Sequence, residues 1–195
     1  MDSLYPGRSF YLENQKMNGI KVYDNVFTRS DAQLFYAFIT NSSFKIGWHD
    51  NPIIENRGTQ FMHSKWSTED VEKVGLLKKI TNKDLLRKIN GRVPHEIVVN
   101  CSKFGEVYAP HTHDLKPDVL LYYANLEWKR EWYGETLFYS EDLKDIVHAI
   151  PYVPGRIVWF KGVIPHSIRP GSSTAPQYRF TVSFFFLSGK NLSNV

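Results

Sequence analysis

The chain has 195 residues, 42% of them hydrophobic and 15% aromatic, enough to bury a core of its own and too apolar for a disordered chain. Its 24 basic and 20 acidic residues are spread along the chain and leave a net charge of +4, so no nucleic-acid partner is expected. One cysteine, Cys101, excludes an internal disulfide framework; with no signal-like N-terminal run and no apolar run near the ~20 residues of a membrane span, a cytoplasmic protein with no membrane association is expected.

In chain order, "IKVYDNVF" (residues 20–27) alternates and predicts a strand. It leads into "SDAQLFYAFI", where Ser30 and Gln33 have capping-box spacing and Leu34, Phe35, Phe38 and Ile39 form one helical face. "STEDVEKVGLLKKI" starts at Ser67 with acidic residues in its first turn and predicts a second helix, whose basic end reads as a solvated face. "KDLLRKIN" predicts a short third helix ending near Gly91. Between them, "GWHDNP" and "GTQFMHSKW" mix polar and aromatic residues and are candidates for a pocket mouth.

From Pro94 the pattern changes. "HEIVVNCSKF", "VLLYYANL", "ETLFYS", "IVHAIPYV", "RIVWFKG" and "YRFTVSFFFL" are short aromatic or β-branched runs separated by turn chemistry such as "PG" and "RPGSSTAP". Many short strands without intervening helices predict an antiparallel sandwich or small barrel. Helices first and strands after predict an α+β layout, with helices buttressing the sheet.

The chemistry concentrates in "YAPHTHDLKP" (residues 108–117). If it is extended, His111 and His113 share one face while Thr112 and Asp114 share the other. Two imidazoles so placed can chelate one metal, and His166 in "GVIPHSIRP" is the candidate third ligand from a distant strand. The other histidines, His49, His63, His95 and His148, read as surface or satisfied core residues.

Taken in order, "GEVYAPHTH", "VLLYYANLEWKREWYGETLFY" and "VPGRIVWFKGVIPHSIRPGSSTAPQYRFTVSFFF" resemble the Fe(II)- and 2-oxoglutarate-dependent oxygenases, in the prolyl 4-hydroxylase-like branch. The resemblance covers roughly residues 97–187 and leaves the N-terminal part unmatched by any motif. It implies a mainly β (α+β) fold: a double-stranded β-helix, the cupin-like jelly-roll barrel, with supporting N-terminal helices. A single domain over residues 1–195 is expected, with residues 1–93 as support and 94–190 as the barrel core. The implied cofactors are Fe(II), 2-oxoglutarate as co-substrate and O2. The implied reaction is hydroxylation of a C–H bond in a small-molecule or peptidyl substrate, prolyl or another amino acid, with succinate and CO2 as co-products.

Residue by residue, the resemblance makes His111 the first ligand, three residues after Tyr108 and six after Gly105, and His166 the distal one. Arg179 matches the basic residue that pairs with the 5-carboxylate of 2-oxoglutarate, a task suited to a guanidinium fork. It lies 13 residues after His166, wider than the family's usual spacing, with "RPGSSTAP" as a longer turn. Arg169 is the competitor, at an offset that faces it away. Tyr122 matches the tyrosine that helps bind the co-substrate, leaving Tyr123 to packing or the rim. Thr136 offers a hydroxyl inside the barrel, and Trp128 and Trp132 are expected to pack.

Two positions depart from the family pattern. Tyr133 stands where a glycine is usual, which alters the turn. His113 stands where the family has a carboxylate, with Asp114 next to it. Three readings follow: an all-histidine set of His111, His113 and His166; a bulge that turns Asp114 inward; or an anion in place of a protein carboxylate. Strand parity favours His113. Two other functions are open to these residues, a zinc-type His-ligated enzyme that activates water and a non-catalytic cupin-like binding protein.

Overall fold

The structure, a computed structural model, describes residues 19–48, 61–115, 117–176 and 178–187. His49, part of "GWHDNP" and the start of "GTQFMHSKW" lie outside the described residues. After β1 (Lys21–Tyr23) comes α1 (Arg29–Thr40), then β2 (Lys45–Trp48) and β3 (Phe61–Lys65). α2 (Thr68–Val74) and α3 (Lys83–Ile89) follow. The remaining strands are β4 (Glu96–Ser102), β5 (Asp118–Tyr123), β6 (Thr136–Tyr139), β7 (Ile146–Ile150), β8 (Ile157–Lys161), β9 (His166–Ile168) and β10 (Arg179–Phe186).

Each helix is delimited by side-chain chemistry. Thr28, not the expected Ser30, caps α1: its Oγ1 accepts from Asp31 N at 3.1 Å. Ser67 and Asp70 form a reciprocal capping box on α2, which ends where Gly75 takes a left-handed φ of 70°. Asn82 caps α3, and Asn90, with φ of 46°, closes it. On α1, Phe35 and Ile39 are fully buried and Phe38 packs edge-on against Trp66 at 5.0 Å, whereas Leu34 is exposed.

The strands form a large sheet in the order β1-β8-β5-β10-β4-β3-β2 and a small one in the order β7-β6-β9. Every named pairing is antiparallel. Alternation sorts the side chains into two cores. Ile97, Val99, Leu120, Val182 and Phe184 meet the helices. Val119, Leu121, Val158 and Phe160 meet the small sheet, where Phe138 packs on Phe160 at 5.1 Å. Each fully buried apolar side chain of this size contributes about 1.5–3 kcal/mol. The result is a double-stranded β-helix with helices on its outer face, and no helix among the described residues is long and apolar enough to cross a membrane.

The N-terminal part carries more sheet than its pattern predicts. β1 pairs with β8, β3 pairs with β4, and β2 extends the sheet from β3 with a bulge at Gly47. β1 falls in the run whose alternation predicts a strand, whereas β2 and β3 are short and in part polar and lack the apolar alternation by which strands are recognised.

Candidate metal centre

His111 and His166 lie opposite each other and exchange two backbone hydrogen bonds, His111 N to His166 O and His166 N to His111 O, both 3.0 Å. The bridge extends the small sheet beyond β9 and brings the two rings to 4.4 Å between centroids. His113, two residues on, returns to the same side. Its ring lies 5.3 Å from that of His111 and 5.0 Å from that of His166. One ligand atom from each of the three histidines lies within 4.8 Å of the others. Asp114 is exposed and stands outside this cluster.

Gly162 makes the His113 position possible. His113 N donates to Gly162 O at 2.8 Å, and Gly162 N donates to Pro117 O at 2.7 Å. A Cβ at position 162 would sit 3.0 Å from Pro117 O and Cδ and 3.2 Å from His113 Cβ. Only glycine lets the end of β8 approach the ligand segment this closely.

Backbone carbonyls fix the imidazole tautomers. His166 Nδ1 lies 2.8 Å from Ile164 O, and His111 Nδ1 lies 3.2 Å from Ala109 O. A carbonyl only accepts, so both Nδ1 atoms carry a proton, which leaves Nε2 of each ring as the atom that can bind a metal. Burial, with the neighbouring His111 and His113, holds His166 well below the ordinary histidine range, so its ring is neutral. Phe160 and Phe185 wall the cluster, with ring centroids 4.7 Å from His166 and 4.8 Å from His113. The set is three imidazole donors in an apolar surround, which fits a divalent transition metal.

Arg179 opens β10 and is 2% exposed. Its Nε donates to Gly134 O at 3.0 Å, and its guanidinium lies 4.7 Å from the Tyr152 ring centre and 5.5 Å from that of Tyr123. Nη1 and Nη2 are buried with no hydrogen-bond partner among the described residues. Thr181, next on the same face, also buries a hydroxyl without a partner. Unpaired donors on a buried cation are costly unless an anion completes them. Tyr123 and Thr136 join their hydroxyls at 2.6 Å beside this group.

A cavity of about 260 Å³ reaches the three histidines, with Asn100, Thr136, Thr181 and Ser183 among its polar lining. Its exposed lining residues His95, Asp114 and Leu115 mark the mouth. Arg179 borders a second, small void with Ser102 and Tyr108, and Ile168 lines both.

No family model matches the sequence, and no curated protein matches it. Solved structures do. A prolyl hydroxylase from Trichoplax adhaerens, in complex with a hypoxia inducible factor oxygen degradation domain peptide fragment, superposes with a TM-score of 0.68 at 17% identity, covering 89% of this chain and 86% of that one. A prolyl-4-hydroxylase from Pseudomonas putida gives 0.64 at 17% identity, over 88% and 94%. A 2OG-Fe(II) oxygenase family oxidoreductase from Burkholderia pseudomallei gives 0.63 at 9% identity, over 87% and 85%. The chain has the prolyl hydroxylase fold.

Within the prolyl hydroxylase fold, one expected residue changes place. Tyr122 is not at the site. Its ring packs edge-on against Phe27 at 5.3 Å and Phe35 at 6.3 Å, in the helix-facing core. Tyr123 pairs across the ladder with Thr181 and faces the interior with it. The two tyrosines exchange the faces expected of them because parity counts from Val119 and Leu121, which point inward.

The other expected residues fall as follows. Thr136 is inside, against Tyr123. Arg169 is on the rim, over the Tyr133 ring at 3.8 Å and 3.5 Å from Glu135. Tyr133 takes a left-handed φ of 58°, so it supplies a backbone shape usual for glycine. Trp128 packs on Trp132 at 5.6 Å and donates from Nε1 to Tyr133 O at 2.8 Å.

Asn125 and Tyr152 were not foreseen. Asn125 Oδ1 accepts from Phe180 N at 2.8 Å, its Nδ2 donates to Tyr178 O at 2.8 Å, and Tyr152 Oη lies 2.6 Å from Asn125 Oδ1. Together they clamp the backbone on both sides of Arg179. The one signal for Asn125 is its place directly after "YYA".

Proposed function

We propose that this protein is an Fe(II)- and 2-oxoglutarate-dependent oxygenase that hydroxylates a C–H bond, acting in the cytoplasm. The observation that carries this reading is a pair: three converging imidazoles, and a buried guanidinium with two nitrogens unpartnered among the described residues, on the same face of β10 as Thr181 and Ser183, which line the histidine cavity. The first suits a metal and the second a carboxylate, the two ends of a chelated 2-oxo dicarboxylate.

In this reading His111, His113 and His166 hold the metal, the His111 and His166 rings through Nε2 with Nδ1 held by a backbone carbonyl. Arg179 meets the distal carboxylate with its fork, and the Tyr123, Thr136 and Thr181 hydroxyls line the approach. Phe160 and Phe185 exclude water from the metal's surroundings. Bound Fe(II), with 2-oxoglutarate and O2, supplies the oxidising chemistry and leaves succinate and CO2. The substrate enters past His95, Asp114 and Leu115. A peptidyl residue, prolyl or another amino acid, is the proposed class, because the Trichoplax neighbour holds a peptide fragment.

A zinc-type water-activating site suits three imidazoles equally well, but it leaves Arg179 without a partner. The experiment is succinate release from 2-oxoglutarate with Fe(II) and O2. Release that needs Fe(II) and falls sharply in Arg179→Met is expected. Metal-bound protein that releases no succinate, with or without candidate peptides, contradicts the reading.

A further inference from the structure

We propose that this protein retains its metal only together with an anionic co-substrate, because its metal-binding face carries no charge of its own. The inference rests on the oxygenase reading above and concerns how the same site is regulated.

The donors are three imidazoles, which bind a metal only as uncharged rings and so bring no negative charge to it. A divalent ion on them keeps both of its positive charges. Among the described residues, the acidic ones lining the cavity are Glu96 and Asp114. Glu96 is already paired with Lys65 at 2.6 Å. Asp114 is exposed at the mouth and outside the ligand cluster. Arg179, further along the same face of β10 as Thr181 and Ser183, adds a buried positive charge with both terminal nitrogens unpartnered among the described residues. A loaded metal would therefore keep its charge uncompensated by the described lining, beside the apolar rings of Phe160 and Phe185, where charge is less screened than in water.

A dianion such as 2-oxoglutarate offsets this charge at both ends at once. Part of its effect is chelation, which any such site shares. The rest is charge compensation, which a carboxylate at position 113 would already have supplied. Coupling between two ligands is reciprocal, so the metal tightens the dianion by the factor by which the dianion tightens the metal. The protein thus discriminates against holding a bare metal and becomes loaded as co-substrate rises.

The test uses Mn(II), which binds without turnover, followed by loss of the free-ion paramagnetic resonance signal, with and without 2-oxoglutarate. In the wild type, 2-oxoglutarate is expected to tighten Mn(II) on the order of tenfold to a hundredfold. His113→Asp is expected to bind Mn(II) more tightly alone and to lose most of that enhancement. Asp114→Asn, at an exposed position, is expected to match the wild type in both conditions. Equal enhancement in the wild type and a folded His113→Asp overturns the proposal and leaves the oxygenase reading standing. A tenfold loss of Mn(II) affinity in Asp114→Asn also overturns it, since Asp114 would then be supplying the charge. Mn(II) binding that 2-oxoglutarate does not alter in the wild type overturns the proposal and the oxygenase reading together.

Discussion

Arg179 donates from Nε to Gly134 O and leaves Nη1 and Nη2 without a hydrogen-bond partner among the described residues. The ligand-free protein therefore carries an unsatisfied buried cation. Arg179→Met removes that cost along with one hydrogen bond, so the thermal midpoint of the ligand-free protein should hold or rise. The same change should weaken 2-oxoglutarate on the order of a hundredfold or more, since each of the two hydrogen bonds to a charged group would contribute about 1.5–3 kcal/mol. Calorimetry on both counts checks it; a loss of stability above about 2 kcal/mol would show that the charge is compensated without ligand. The two tyrosines give a sharper contrast. Tyr122 buries a hydroxyl with no partner among the described residues, so Tyr122→Phe should be neutral or stabilising by up to about 1 kcal/mol, with co-substrate affinity unchanged. Tyr123→Phe breaks the 2.6 Å bond to Thr136 and should cost about 1 kcal/mol and several-fold in affinity. Thermal melts with paired binding titrations separate the two positions, and reversed effects would put Tyr122 at the site.

At the scale of elements, the ligand segment is held by what β8 leaves out. Gly162→Ala would press a methyl group to 3.0 Å from Pro117 O, a backbone atom that cannot rotate away. It should destabilise the protein by about 1–3 kcal/mol and loosen metal binding through His113. Denaturant melts and Mn(II) titration of this variant measure both, and an unchanged metal affinity would mean that the segment is held from elsewhere. The helices on the outer face depend on carboxylates near their starts. The hydrogen bond from Lys79 lowers Asp31, that from the Ser67 backbone lowers Asp70, and that from Tyr23 lowers Asp84, all below 3.8. A depressed carboxyl stabilises the fold above its unfolded pKa, and that contribution is lost as pH falls through the folded value. Helical signal should therefore decline in acid below about pH 4, and Asp70→Asn should flatten part of the decline. An acid titration by circular dichroism, wild type against variant, reads this directly.

For the whole molecule, the strongly patterned half was legible and the rest was not. The runs that became β4, β5, β8 and β10 are buried on both faces, so their apolar character shows without any structure. β2, β3 and β9 are short and in part polar, and they exist because a neighbouring strand offers hydrogen bonds. Among site residues, His111, His113 and His166 could be named because ligand chemistry restricts the residue types, and parity put two of them on one face. The Tyr122 assignment failed at the same step: adjacent tyrosines have the same chemistry, and only the pairing of Tyr123 with Thr181 decides which one faces inward. Asn125 and Tyr152 were invisible because they act on backbone atoms of a strand distant in sequence.

The most direct measurement is an anaerobic titration of Fe(II)-supplemented protein with 2-oxoglutarate, followed in the visible range. A weak charge-transfer band that saturates with 2-oxoglutarate, and that is weakened in Arg179→Met, is the expected result. Wild-type protein that holds Fe(II) yet develops no band at saturating 2-oxoglutarate would contradict an oxygenase site at these three histidines.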